Sequence, residues 1–168
     1  MHNTYSVPSR LMGAEIKVKL HSEYLELYYG KNVTEIIPRV RGEYKYFIQY
    51  RHIIEWLVRK PGAFENYRYK DALYPTSYFR MAYDALCENM SLKKATTEYL
   101  KILHLAAKEN ETKVNEVLKQ LITNDHDFQY LLVEEKVKQD NGITQIRDVQ
   151  IESVDPAQYD NLLMYKGA

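Results

Sequence analysis

The sequence has one cysteine, Cys87, so no disulfide can form within the chain, which suits a reducing compartment. Its apolar runs are only a few residues long, which leaves no candidate for a bilayer-spanning helix. The start, Met1-His2-Asn3-Thr4-Tyr5-Ser6, has neither a basic opening nor an apolar stretch, so no signal peptide is expected. The six glycines are scattered, and no glycine-rich phosphate loop exists. Histidines stand at 2, 21, 52, 104 and 126, with no pair at the helical zinc spacing and no second cysteine to help. Asp125-His126-Asp127 holds potential cation ligands, but adjacent residues face different ways and helix capping accounts for the aspartates. Cys87 has no histidine near it in sequence and reads as a small buried helix residue. The carboxylates fall mostly on helix surfaces rather than on a strand framework that could hold two metals. The expectation is therefore no catalytic residue, no metal, no cofactor and no enzyme activity.

What is present is a chain of 168 residues, 45% hydrophobic, enough for a core. The formal net charge of zero hides an asymmetry. Residues 1–80 hold 6 Lys and 7 Arg against 8 Asp and Glu, whereas residues 81–168 hold 9 Lys and 1 Arg against 15. Arginine is thus nearly confined to the front, where its planar fork suits phosphate. Several of the 16 tyrosines lie among these arginines: Tyr44, Tyr46, Tyr50, Tyr67, Tyr69 and Tyr74. Such interleaving can serve phosphate contact and base stacking, although tyrosines equally serve small cores with the hydroxyl reaching water.

The front third alternates with period two. Ile16, Val18 and Leu20 oppose Glu15, Lys17 and Lys19, and Leu25, Leu27 and Tyr29 oppose Tyr24, Glu26 and Tyr28. Gly30-Lys31-Asn32 turns into a third strand from Val33 to Ile37, ended by Pro38, and Val7-Pro8 with Leu11 supplies an edge strand. The period then changes. Ile53, Ile54, Trp56, Leu57 and Val58 predict a helix from Tyr50 to Arg59, stopped by Pro61-Gly62. The stretch from Ala63 to Tyr74 is mixed and starts helical. Thr76 or Ser77 caps a helix carrying Phe79, Ala82, Tyr83 and Leu86, and Ser91 caps one running to Ala106. Asn110 separates that from a helix through Val114, Leu118 and Ile122, an αα-hairpin. A short helix with Phe128, Leu131 and Leu132 follows, capped by Asp125 or Asp127. Glu134 to Gly142 reads as a linker, Val149 to Ile151 as a strand, and Asp155-Pro156 as the start of a last helix. The expected class is α+β, with a small antiparallel β-barrel or meander at the N-terminus and a mainly helical array after it. The divisions are 1–47 (barrel), 48–133 (helical region) and 134–168 (linker, strand and helix).

One run is more specific. Tyr50-Arg51-His52-Ile53-Ile54, Leu57, Arg59-Lys60-Pro61-Gly62-Ala63-Phe64, Asn66-Tyr67-Arg68-Tyr69, Asp71, Leu73, Pro75 and Ala82-Tyr83-Asp84-Ala85-Leu86 follow in order. This run resembles the C-terminal region of IstA-type insertion-sequence transposases. Tyr5-Ser6-Val7-Pro8 with Arg10-Leu11-Met12-Gly13 is similar to the β-barrel after the catalytic core of Mu-like transposases, and Tyr159-Asp160-Asn161-Leu162-Leu163 to that family's ending. The resemblance implies an accessory fragment whose catalytic DDE core lies elsewhere. It implies a role in DNA transposition and transpososome assembly. The implied partners are DNA (element ends or target), full-length transposase protomers and an IstB-type AAA+ helper ATPase. The implied place is the bacterial cytoplasm, at the nucleoid and not in a membrane. Sequence-independent contacts to the DNA backbone are then expected from Arg39, Arg41, Lys45, Arg51, Arg59, Lys60, Arg68 and Lys70. A protein-interaction module without DNA contact and a nonfunctional remnant are the alternatives.

Overall fold

The computed structural model describes residues 2–124 and 129–140. Strand β1 (Thr4–Tyr5) opens the chain, and a 3-10 turn at Ser9–Leu11 follows it. Strands β2 (Ile16–Leu20), β3 (Tyr24–Tyr29) and β4 (Asn32–Pro38) form an antiparallel meander in the order of the chain. The β3–β4 hairpin turns at Gly30, whose φ of +63° is what a two-residue turn with glycine first requires. Strand β5 (Tyr46–Phe47) pairs with β1 in parallel, Thr4 against Tyr46 and Tyr5 against Phe47, as a separate two-stranded sheet.

The sheets do not close into a barrel, which corrects that part of the expectation. β2 and β4 end the meander on either side, and the chain leaves β4 through an irregular loop, 39–45, to reach β5. A two-stranded pairing of two residues per strand cannot bridge both ends of a three-stranded meander. The edge strand also lies earlier than expected, at Thr4–Tyr5. Pro8 lacks an amide donor, and the chain after it coils into the Ser9–Leu11 turn.

Register explains what each strand buries. Leu25 and Leu27 face inward, and their β4 partners Ile37 and Glu35 share that face. A register shift between Leu27 and Tyr28 marks a bulge in this pair of strands. Leu25, Leu27 and Ile37 form a small core with Tyr5, Val7, Ile16 and Phe47 against it.

The larger core is helical. It joins α1 (Tyr50–Arg59), α2 (Ser77–Asn89), α3 (Leu92–Lys108), α4 (Glu111–Thr123) and α5 (Tyr130–Asp140). α3 is central because Ala95, Tyr99, Ile102, Leu103 and Ala106 recur at helical spacing, and it packs against α1, α2, α4 and α5. Between α1 and α2 the chain makes 3-10 turns at Pro61–Ala63 and Lys70–Leu73 rather than an α-helix. These turns drop Phe64 and Leu73 into the core, where Phe64, Tyr83 and Tyr99 meet with ring centroids 5.2–5.6 Å apart. The buried Tyr99 hydroxyl donates to the Leu73 carbonyl at 2.7 Å.

Asn110 caps α4, its Oδ1 accepting from the amides of Thr112 and Lys113. Thr76 and Ser91 do hold the N-cap positions of α2 and α3, but neither side chain bonds the helix. The Thr76 hydroxyl donates instead to Asn115 on α4. α5 runs on to Asp140, so residues 134–140 are helix and not linker. The strand at Val149–Ile151, the helix after Asp155-Pro156, and the Asp125-His126-Asp127 cluster lie outside the described residues.

Candidate nucleic-acid interface

The loop from Arg39 to Lys45 is held by the first residues of the chain. Asn3 donates from Nδ2 to the carbonyls of Val40 and Gly42 at 3.0 and 2.9 Å, and its Oδ1 accepts from the Lys45 amide at 3.0 Å. The Tyr5 hydroxyl accepts from the Val40 amide at 2.9 Å. These bonds hold two residues with left-handed backbone, Gly42 (φ +95°) and Tyr44 (φ +58°). Tyr44 has no glycine's freedom there, and the left-handed region costs such a residue about 1–2 kcal/mol. The result is a ring held out from the surface, 77% exposed and stacked on His2 at 5.3 Å.

Three of the expected cations stand on this loop. Arg39 donates from Nη1 to the His21 carbonyl at 3.0 Å, and Arg41 pairs with Glu23. Both partners of the Arg41–Glu23 pair are largely exposed, so the pair is weak and exchangeable. Ser22, Arg39, Arg41 and Gly42 border a cavity of about 300 Å³.

A second group of cations joins through aromatic rings. Tyr46 follows the loop, 49% exposed, and its ring lies 4.9 Å from that of Tyr69. Arg68 stands over the Tyr69 ring at 5.5 Å. Tyr67 and Tyr69 line a groove together with Trp56, and the Lys60 ammonium lies 5.8 Å from the Trp56 ring. Arg68 and Lys60 thus each stand over an aromatic ring, and Tyr46 joins the Tyr69 ring to the end of the loop that carries Lys45 and Tyr44. Arg59, the last residue of α1, is exposed at the negative end of the helix dipole.

Arg51 and Lys70 are engaged within the chain. Arg51 pairs with Glu111 at 3.4 Å and donates to the Ala107 carbonyl. Lys70 pairs with Glu65 at 2.9 Å and lies 4.8 and 5.0 Å from the Phe64 and Tyr83 rings. Glu65 also accepts from the hydroxyls of Tyr83 and Thr96. Burial opposes the Glu65 charge, but these hydrogen bonds outweigh it and hold the carboxyl below its ordinary range.

A constellation that sequence patterning missed lies beneath the interface. His52 Nδ1 is 2.8 Å from Ser6 Oγ and 3.0 Å from the Ser6 carbonyl oxygen, and its Nε2 is 2.6 Å from Glu35 Oε1. Ser6 and His52 are buried, and Ser6 Oγ also accepts the Gln49 amide at the start of α1. A serine so occupied is a fastener between β1, β4 and α1, not an accessible nucleophile. Glu35 carried a signal, since a carboxylate on the same strand face as Ile37 needs a partner. Asn3 and Ser6 carried none, because their partners lie more than thirty residues away.

Among the described residues no group of three or more metal-ligating side chains occurs, and no helix is long and apolar enough to cross a membrane. No family model matches the chain, and no solved structure matches it. The chain is similar to the uncharacterized protein y4jA/y4nE/y4sE of Sinorhizobium fredii (strain NBRC 101917 / NGR234), with 35% identity over 106 residues. That match covers 61% of this chain and 21% of the relative, so the chain spans about a fifth of the relative's length. These findings correct the assignment to IstA-type transposases. No family model supports it, the relative's name carries no such identity, and the open sheets lack the barrel that it implied.

Proposed function

We propose that the chain is an accessory DNA-binding module that holds the phosphate backbone without reading its sequence. One observation carries this reading: Arg39, Arg41 and Lys45 share a clamped loop with the projecting ring of Tyr44, and Tyr46 continues that surface to Tyr69 and Arg68. Cations supply affinity through counterion release, and exposed rings offer stacking platforms that tolerate any base. Lys60 and Arg59 extend the footprint, while Arg51 and Lys70 contribute little because each is held to the body of the chain by more than one contact. On this reading the chain works in the cytoplasm, at the nucleoid.

Anisotropy of labelled duplex and single-stranded DNA, titrated with the chain at two salt concentrations, tests it. Binding is expected at low salt and falls as salt rises. Arg68→Gln and Arg41→Gln are each expected to reduce the duplex salt slope by about 1, and Arg51→Gln to leave it unchanged. No binding of either DNA at low salt rejects the reading.

A second reading is a protein-interaction module whose basic residues serve internal pairs. The Arg51–Glu111 contact, which links the basic front to the acidic back, favours it. A folded chain with a normal melting curve and no DNA affinity would support this reading over the first.

A further inference from the structure

The groove lined by Trp56, Tyr67 and Tyr69 is built from both parts of the fold. It holds about 330 Å³ and lies where the small sheet core and the helical core meet without merging. Val7 and Met12 bound it from the front of the chain, and Ile53, Trp56, Tyr67 and Tyr69 from the helical part. Ser6 and His52, buried and bonded to each other, close its inner end. A polar clasp thus joins the two parts here, where apolar packing would have filled the space. Met12, 72% exposed, stands at the outer end.

The charge beside the groove is of one sign. No Asp, Glu, Lys or Arg lines it. Two of its rings each carry a cation, Lys60 at 5.8 Å from Trp56 and Arg68 at 5.5 Å from Tyr69. Among the described residues neither cation pairs with a carboxylate. An occupant that uses both features is flat, offers a π face to the rings and carries negative charge beside it. A nucleobase flanked by its phosphates has that chemistry. A base inside an intact duplex does not, because its faces are stacked on its neighbours and only its edges are free. An apolar peptide side chain fills the groove but leaves both cations unused.

We propose that this groove takes one unpaired nucleobase, so that the chain prefers DNA with an unpaired base to intact duplex. Trp56 and Tyr69 stack the base, and Lys60 and Arg68 hold the phosphates beside it. The proposal rests on the DNA-binding reading and deepens it.

Trp56 is the only tryptophan, so its emission reports on the groove. The full chain is titrated at low salt with an intact duplex, the same duplex with one additional unpaired thymine, and that duplex with an abasic residue in place of the thymine. The unpaired thymine is expected to quench Trp56 and to bind at least about fivefold more tightly than the other two. Tyr69→Leu is expected to remove that preference with helical circular dichroism intact. Met12→Glu, at an exposed position, is expected to weaken binding of the unpaired thymine more than of the intact duplex, which keeps the test should Tyr69→Leu fail to fold. Equal binding of all three, falling with salt, overturns the groove proposal and sustains backbone binding. Equal tightening by the abasic residue overturns it as well, since a kink and not a base is then preferred. A preference with unchanged Trp56 emission overturns it and assigns the base to Tyr44. A groove that belongs to a protein side chain leaves Trp56 silent to all three DNAs, which overturns it too. No binding of any of them rejects the DNA reading and this proposal together.

Discussion

The hydroxyl of Tyr50, the first residue of α1, donates to Oε2 of Glu111, the first residue of α4, at 2.8 Å. Both helices begin at this contact, and Arg51 reaches the same oxygen. The Tyr50 ring is buried, and burial together with the Glu111 hydrogen bond raises its pKa well beyond the ordinary tyrosine value. Tyr50→Phe keeps the ring and removes a hydrogen bond to a charged group, so a loss of about 1.5–3 kcal/mol is expected in urea unfolding.

Acid is expected to destabilise the chain through Glu65. Its folded pKa lies below the ordinary 4.5, so its contribution is present above that value and is lost as pH falls through the folded pKa. Stability measured by denaturant titration from neutrality down through pH 4.5 should decline. Glu65→Gln should flatten the part of the decline that this carboxylate supplies.

Alkali acts on the opposite kind of group. Burial first, and then the neighbouring Glu65, raises the Tyr83 hydroxyl; burial likewise raises Tyr74 and Tyr99. A neutral phenol favoured by the fold stabilises it below the ordinary value of 10.0, and that stability is lost as pH rises toward the folded pKa. Phenolate absorbance is expected to rise in two phases, the second coinciding with loss of helical circular dichroism. Y99F should shrink the second phase. It also leaves the buried Leu73 carbonyl unpaired, at a cost of about 1–3 kcal/mol.

Asn3→Ala removes three hydrogen bonds that support the left-handed turn at Gly42 and Tyr44. The loop should loosen while the helical core keeps its melting behaviour. Amide exchange should quicken at Lys45, whose N–H loses its acceptor, and DNA affinity should fall with the helical circular dichroism intact.

Periodicity carried most of the elements. Ile16–Leu20, Tyr24–Tyr29 and Tyr50–Arg59 lie where alternation and helical spacing set them, and Asn110 breaks α3 from α4 as its capping chemistry demands. Barrel closure was not legible, because it depends on which distant strands pair. β1 with β5 is such a pairing, two residues long, between residues 42 apart such as Thr4 and Tyr46. The charge at 134–140 suggested a linker, but Val133 and Val137 are one turn apart and fully buried, and that is enough to continue α5. Within the interface, composition marked Arg39, Arg41, Lys45 and Arg68. It could not separate them from Arg51 and Lys70, since an arginine facing Glu111 and one facing water read alike in one dimension.

The fastening of Ser6 to His52, like that of Asn3 to Lys45, also bears on the order of assembly. These contacts span 46 and 42 residues, whereas the αα-hairpins close over short connections. Closing a loop of that length costs entropy before any contact returns it, so the helices are expected to form ahead of the N-terminal docking. Synthesis runs the other way. Asn3 and Ser6 are made before Lys45 and His52 and must wait for them, so residues made earlier dock later than the helices that follow them.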